Sequence, residues 1–206
     1  MSTSTQNIYS LLLLVCLLAV MGVLIKRLNN KPTKIRNISM AVLLVAMSIA
    51  LSRMTSISFA IGGVAGIRIA FGKLPIFLGS FILGPLFGGL VGAISDFLGY
   101  RIQPIGPYMP HFTVVSALYG ILPVILFSML KGNKENILNI LIPVGITVGI
   151  TELFLVPYSL HIIFAIPWQI LIIPRLISVP LTTIIYTYIF HEFVRRKVLH
   201  INHHHG

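Results

Sequence analysis

Arg68-Ile-Ala-Phe-Gly-Lys-Leu-Pro-Ile-Phe-Leu-Gly-Ser-Phe-Ile-Leu-Gly-Pro-Leu-Phe-Gly-Gly-Leu-Val-Gly-Ala-Ile-Ser-Asp-Phe-Leu-Gly-Tyr100 decides how this chain is read. A proline-rich loop follows it and ends at Pro110-His111-Phe112-Thr113. Small residues recur every four positions, at Ser80, Gly84, Gly88 and Gly92. On a helix that spacing makes a flat stripe where a second backbone can come close, so these four are helix-packing candidates. Gly84-Pro85 interrupts the apolar run, because proline disfavours helical geometry in the residue before it. A single cation, Arg68, stands ahead of the run, and a single anion, Asp96, sits near its end. Close helix packing, a broken helix and isolated charges together suit a membrane protein that handles a polar solute.

Composition agrees. Of 206 residues, 56% are hydrophobic and 9% charged, with a mean hydropathy of +0.97. Soluble domains carry about 25% charged residues, so the chain is read as a multi-pass, all-α integral membrane protein. In a soluble protein the net charge of +11 would suggest nucleic acid. Here the cations lie in short loops between apolar runs, where they set topology and meet anionic lipid, so the expected partner is membrane lipid and not nucleic acid. The one cysteine, Cys16, rules out an internal disulfide or a cysteine-based metal site.

Outward from the central stretch, the spans fall at 8–25, 38–55, 112–130, 137–156 and 166–190. Residues 8–25 have their cations behind them rather than in front, the reverse of a signal peptide, and are read as an uncleaved helix with its N-terminus outside. The remaining question is whether residues 74–100 make one crossing or a hairpin folded at Gly84-Pro85. With a hairpin, ten Lys and Arg face the cytoplasm and four (Arg53, Arg68, Lys73, Arg101) lie outside; with one crossing, six lie inside and eight outside. The positive-inside rule selects the hairpin. This yields three regions: 1–37, an extra N-terminal transmembrane helix with a basic loop; 38–197, a six-helix membrane domain; and 198–206, a tail whose His203-His204-His205 is read as native or tag-derived. The Gly-rich segment 56–73 is read as an outside loop able to act as a lid, since glycine permits large backbone changes.

The run from Arg68 through Leu74-Pro75, Gly84-Pro85, Gly88, Gly92, Asp96 and Gly99-Tyr100 to Phe112-Thr113 resembles the folate-type S components of energy-coupling factor vitamin transporters. Ala41 to Arg53 is similar to that family's first helix, and Pro174-Arg175 ahead of Pro180 to the start of its last. The resemblance covers roughly residues 38–195. It implies a substrate-binding subunit in a bacterial plasma membrane, with a cytoplasmic C-terminus, that captures folate or a related pterin vitamin from outside. It also implies a transmembrane scaffold subunit as partner, met at Ala46 and Ala50, and two cytoplasmic ATPase subunits. No cofactor is expected in this chain, because ATP is used by the partners. The helix at 8–25 is not part of the six-helix core. Where the family more often shows an asparagine-rich stretch, this chain has Thr151-Glu152, so another vitamin or precursor is the alternative ligand.

Each candidate ligand residue has a purely structural counter-reading. Arg68 is expected to form bidentate bonds to the carboxylates of folate; otherwise it snorkels to head groups. Arg175, about ten residues inside the last span, contacts ligand or pairs with Glu152. Glu152 could accept two hydrogen bonds from the amino-pyrimidinone edge of a pterin. Tyr108, Phe112 and Trp168 are placed at the outer rim, where aromatic belts are common, and one of them could stack on a planar ring. Gln169 lies at the same level. Asp96 is read as a packing or loop-anchoring acid beside Arg101, and Lys73 as an interfacial anchor. A self-sufficient small-solute permease is the competing function. An enzyme is not expected, because the four acids are scattered and no nucleophile–base pair is evident.

Overall fold

The computed structural model describes residues 35–54, 57–61, 64–69, 71–104, 108–130 and 136–195. The expected span at 8–25 and the tail at 198–206 lie outside the described residues. The described chain begins with α1 (Ile35–Met54), then a ribbon of β1 (Ile57–Ile61) and β2 (Val64–Ile69), then α2 (Lys73–Leu83), α3 (Pro85–Ile102) and α4 (Pro110–Met129). Next come α5 (Ile137–Gly149), a π-helical segment (Ile150–Leu155) and α6 (Val156–Phe164), which run on as one rod, and finally α7 (Trp168–Arg195). The described residues thus form six helical rods, the number expected for the core. The segment read as a loop at 56–73 instead carries an antiparallel ribbon, with Ser58 opposite Arg68 and a register shift between Phe59 and Ala60.

The helical hairpin forms where Gly84-Pro85 requires it. Gly84 has φ 92°, a region open to glycine and costly to side-chain-bearing residues. Pro85 then starts α3, where its missing N–H costs nothing. The arms are unequal: α2 has 11 residues and α3 has 18. At 1.5 Å per residue α2 is about 16 Å long, roughly half the hydrocarbon thickness. It survives because it sits inside the bundle, with Pro75 to Ser80 buried.

The small-residue stripe works through both arms of the hairpin. Ser80 on α2 faces Gly88 on α3, and any Cβ on Gly88 would overlap Ser80 and the Gly120 carbonyl of α4. A Cβ on Gly92 would likewise run into the Ser116 carbonyl. Because residue numbers rise on α3 as they fall on α4, the two helices are antiparallel with their backbones in contact. Gly84 is the exception to the expected stripe. It has nothing within 4 Å of its Cβ position and makes the turn instead of packing.

Phe77 anchors the core. Its ring meets Tyr119, Tyr186 and Phe190 edge-on, with centroids 5.8, 5.6 and 6.0 Å away. Phe81 continues the cluster to Phe127 and Phe190. The outside of the bundle is more uniformly apolar than a soluble surface: Val42, Leu43, Phe154, Ile173, Leu176, Ile184 and Tyr188 are all exposed. Buried positions meanwhile include Ser48, Ser80, Thr147, Thr151 and Thr187. Several of these hydroxyls return to their own helix, as Thr147 does to the Pro143 carbonyl at 2.7 Å, which satisfies them without water. Helices Ile35–Arg53, Pro110–Met129, Ile137–Ile162 and Trp168–Phe193 are long and apolar enough to cross a bilayer. The exposed surface therefore fits lipid, and the chain is a membrane protein.

Candidate ligand-binding site

A cavity of about 550 Å³ opens between α1, α2, α3, α4, the π-helical segment, the start of α6 and α7. Its size falls within the range of small-molecule sites. One end is built around Glu152. The π-helical segment that carries it lies just ahead of Pro157, whose ring has no N–H to continue the α-helical ladder. Such π segments recur at functional sites, and this one carries the Glu152 carboxylate in the cavity wall. Thr151 is fully buried and bonds back to the Thr147 carbonyl at 2.7 Å, fixing the turn.

Three groups converge on that carboxylate. Lys73 ion-pairs with Glu152 Oε1. The Tyr119 hydroxyl donates to the same oxygen at 2.7 Å and accepts from Lys73 Nζ at 2.9 Å. Arg175 brings Nε to 3.8 Å from Oε2. The Lys73 ammonium also stands 4.2 Å from the Tyr119 ring centroid, an arrangement in which the ring quadrupole attracts the cation. One carboxylate thus serves two cations, Lys73 in direct ion pair and Arg175 at the edge of contact, and offsets one of the two charges that a membrane interior would otherwise penalise.

The other side of the cavity is formed by the end of α1 and the C-terminal half of α3. Arg53 donates through Nη1 to Gln103 Oε1 at 3.1 Å and through Nη2 to the Gly99 carbonyl. Asp96 Oδ2 accepts from the Thr113 hydroxyl at 2.7 Å, and Thr113 Oγ1 lies 2.8 Å from the Tyr108 hydroxyl. Between the two ends the wall is apolar, with Ile76, Phe112, Val115 and Val156.

Of the residues singled out from sequence, Phe112, Glu152 and Arg175 line this cavity. Tyr108 is not among its lining residues; it meets Phe97 edge-on and Tyr100 at a tilt, with centroids 5.6 and 5.1 Å away. Trp168 packs against Tyr158 and His161, and Gln169 is exposed. Arg68 lies on β2, and its side chain is outside the described residues. Ala46 and Ala50 are on the exposed face of α1.

Two sequence readings change. Lys73 is not an interfacial anchor; it is the direct partner of Glu152, because α2 starts at the cavity rim and directs its first side chain inward. Asp96 does anchor a loop, but through Thr113 at the start of α4, while Arg101 is exposed. Tyr119 and Arg53 were missed as site residues. In sequence Tyr119 is one aromatic within the apolar run 112–130 and carries no further signal. Arg53 looked like a span boundary, since a cation at a helix end is the commonest topology marker.

Among the described residues, six helices around a cavity with charged groups on two sides, and an apolar exterior, define a membrane subunit built to hold a small solute. The family described as "ECF-type riboflavin transporter, S component" matches residues 32–195, and the chain belongs to it. The S-component identity expected from the central stretch is therefore borne out, and the class is that of a transporter subunit. Among its relatives is the folate transporter FolT of Clostridium novyi (strain NT), 34% identical over 113 residues. That alignment spans 54% of this chain and 63% of the relative, less than two thirds of the relative's length. A crystal structure of FolT bound with folic acid superposes with a TM-score of 0.60 at 20% identity, covering 76% of this chain and 90% of that one. At that identity the likeness is one of fold.

Proposed function

We propose that this chain is the substrate-binding subunit of an energy-coupling factor importer, and that it captures folate or a related pterin vitamin from outside. In the bacterial plasma membrane it delivers the loaded site to a transmembrane scaffold with two ATPases. The observation that carries the ligand reading is the cavity itself, which has a Glu152–Tyr119–Lys73–Arg175 group on one side, apolar wall residues, and Arg53 with Asp96 on the other side. A pterin offers paired N–H donors, which suit the Glu152 carboxylate. Its flat ring suits a wall of Ile76, Phe112, Val115 and Val156. The relative's name supports folate, and the family's description favours riboflavin as a second reading.

Calorimetric titration of the purified chain in detergent separates them. One-to-one folate binding at submicromolar Kd, with riboflavin at least about 100-fold weaker, is the expected result; the reverse order overturns the folate reading. Trp168 is a poor reporter for this purpose, because it packs on His161 at 5.4 Å away from the cavity lining.

The reading extends to topology and assembly. The C-terminus is cytoplasmic, the helix at 8–25 precedes a 38–197 core, and the exposed Ala46–Ala50 face of α1 meets the scaffold. Small residues there let another backbone approach closely. Replacing both alanines with tryptophan is expected to abolish vitamin uptake by the assembled transporter while leaving ligand affinity of the isolated chain within about twofold. Side chains added on a lipid-exposed face do not reach the cavity.

A further inference from the structure

We propose that Tyr119 is the positioning residue of the ligand site: its hydroxyl sets the orientation in which the Glu152 carboxylate meets the ligand, without touching the ligand itself. This rests on the reading above that the cavity is the ligand site and that Glu152 accepts from ligand N–H groups.

Glu152 needs such a partner. Its side chain is long and rotatable, and it projects from the π-helical turn Ile150–Leu155. Three groups stand around its carboxylate, and they differ in stiffness. Lys73 carries its ammonium on a flexible four-carbon stem with rotatable donors. It brings charge to Oε1 but fixes no plane. Arg175 Nε lies 3.8 Å from Oε2, outside hydrogen-bond range. The Tyr119 hydroxyl donates to Oε1 at 2.7 Å from the end of a rigid ring. Of the three, it alone joins an ordinary hydrogen-bond distance to a stiff carrier.

That ring is itself held. Tyr119 is 1% exposed, and Phe77 meets it edge-on at 5.8 Å. The next residue, Gly120, is where α4 touches α3 backbone to backbone, since a Cβ there would overlap the Gly88 carbonyl. The glycine contact between the two helices therefore fixes the base of the tyrosine, and the tyrosine fixes the carboxylate. The hydroxyl has no proton left for a ligand. Its single hydrogen goes to Glu152, and it accepts from Lys73 Nζ at 2.9 Å.

Two effects of this hydrogen bond oppose each other. As a donor, Tyr119 draws charge from the carboxylate and weakens it as an acceptor. As a fixed post, it keeps the carboxylate aimed at the cavity, which lowers the cost of binding. Hydrogen bonds weaken steeply with misalignment, so positioning outweighs the lost charge. The sign of the change on removing the hydroxyl separates the two.

Tyr119→Phe makes the test. It keeps the ring, the contact with Phe77, the ring face beside Lys73 and every formal charge. The purified variant and the parent chain are titrated with folate and with the same molecule lacking the amino group of its pterin ring. Thermal unfolding in detergent is measured alongside. The expected result is an affinity loss of about 10-fold for folate and less than about threefold for the deamino analogue, with melting within a few degrees of the parent chain. The preference for the amino group thus shrinks. Equal losses for both ligands, or failure of the variant to fold, would make the hydroxyl a support of the fold and overturn the proposal. Unchanged or tighter folate binding would also overturn it, because the charge effect would then be the larger one. So would a parent chain that binds folate and its deamino analogue equally well.

Failure of the folate reading gives a different pattern. If the parent chain ignores folate but binds riboflavin or another vitamin with a ring N–H group, the same comparison is made between that vitamin and its analogue methylated at that nitrogen. A selective loss in Tyr119→Phe then upholds the positioning role while the folate reading falls. A parent chain that binds no vitamin bearing a ring N–H group overturns both.

Discussion

Replacing Glu152 with glutamine is expected to remove vitamin binding, with an affinity loss of about 100-fold or more, and to lower stability by about 3 kcal/mol. Both effects have one cause. The Glu152 carboxylate takes the Lys73 ion pair and the Tyr119 hydroxyl on Oε1 and lies 3.8 Å from the Arg175 guanidinium on Oε2. Glutamine keeps the shape but removes the charge. Lys73 and Arg175 then share a cavity in a membrane with no described carboxylate in ion-pair contact, and Lys73 keeps only Tyr119. The stability estimate sits at the low end for a broken buried pair, because the side chains of Lys73 and Glu152 remain 26% and 23% exposed to the cavity. The glutamine amide also presents N–H groups where an acceptor is wanted, so a ligand donor edge meets a donor. Calorimetry on the purified variant gives the first number, and detergent melting gives the second. A variant that binds as tightly as the parent would remove Glu152 from the ligand site. The double variant Glu152→Gln with Lys73→Met separates the effects: it is expected to recover stability, having lost a cation, but not binding.

The second large effect is expected at Gly92. In Gly92→Val the new Cβ overlaps the Ser116 carbonyl, and Ala117 Cα lies 3.2 Å away. These are backbone atoms, so no rotamer change relieves the overlap; α3 and α4 must separate. Overpacking of this kind costs about 3 kcal/mol or more. Separating these helices also breaks the Thr113–Asp96 hydrogen bond that joins them at the cavity, so the wall opens. The expected outcome is poor recovery of folded protein and no measurable ligand binding. Gly149→Ala is the control. No atom lies within 4 Å of its Cβ position and its φ is −60°, so the change is expected to be neutral or slightly stabilising. If Gly92→Val melts within a degree or two of the parent chain, the close α3–α4 packing is not what holds the hairpin in place.

These two positions illustrate the two ways in which the sequence could be read. Gly92 was legible, because a four-residue period of small side chains has one good physical use in an apolar helix, and Gly84-Pro85 shows where the helix must end. Glu152 and Arg175 were legible as functional candidates because ionisable groups within apolar spans carry a high cost and need a reason. Lys73 was misread because the same side chain at a helix end normally reaches for head groups. Nothing local distinguishes a lysine turned outward from one turned toward a carboxylate 79 positions later in the chain.

The sequence by itself determined the membrane class, the helix boundaries set by proline and glycine, the packing stripe and the family, since each follows from local pattern and hydropathy. The tertiary structure decided which charges meet. It brought Arg53 to Gly99 and Gln103, Lys73 and Tyr119 to Glu152, and Thr113 to Asp96, and it turned a presumed loop into a β ribbon. The physical reason is that charges in low dielectric must pair or face a ligand. The rotations of six helices about their axes set which partners come within reach, and no local run of residues specifies those rotations.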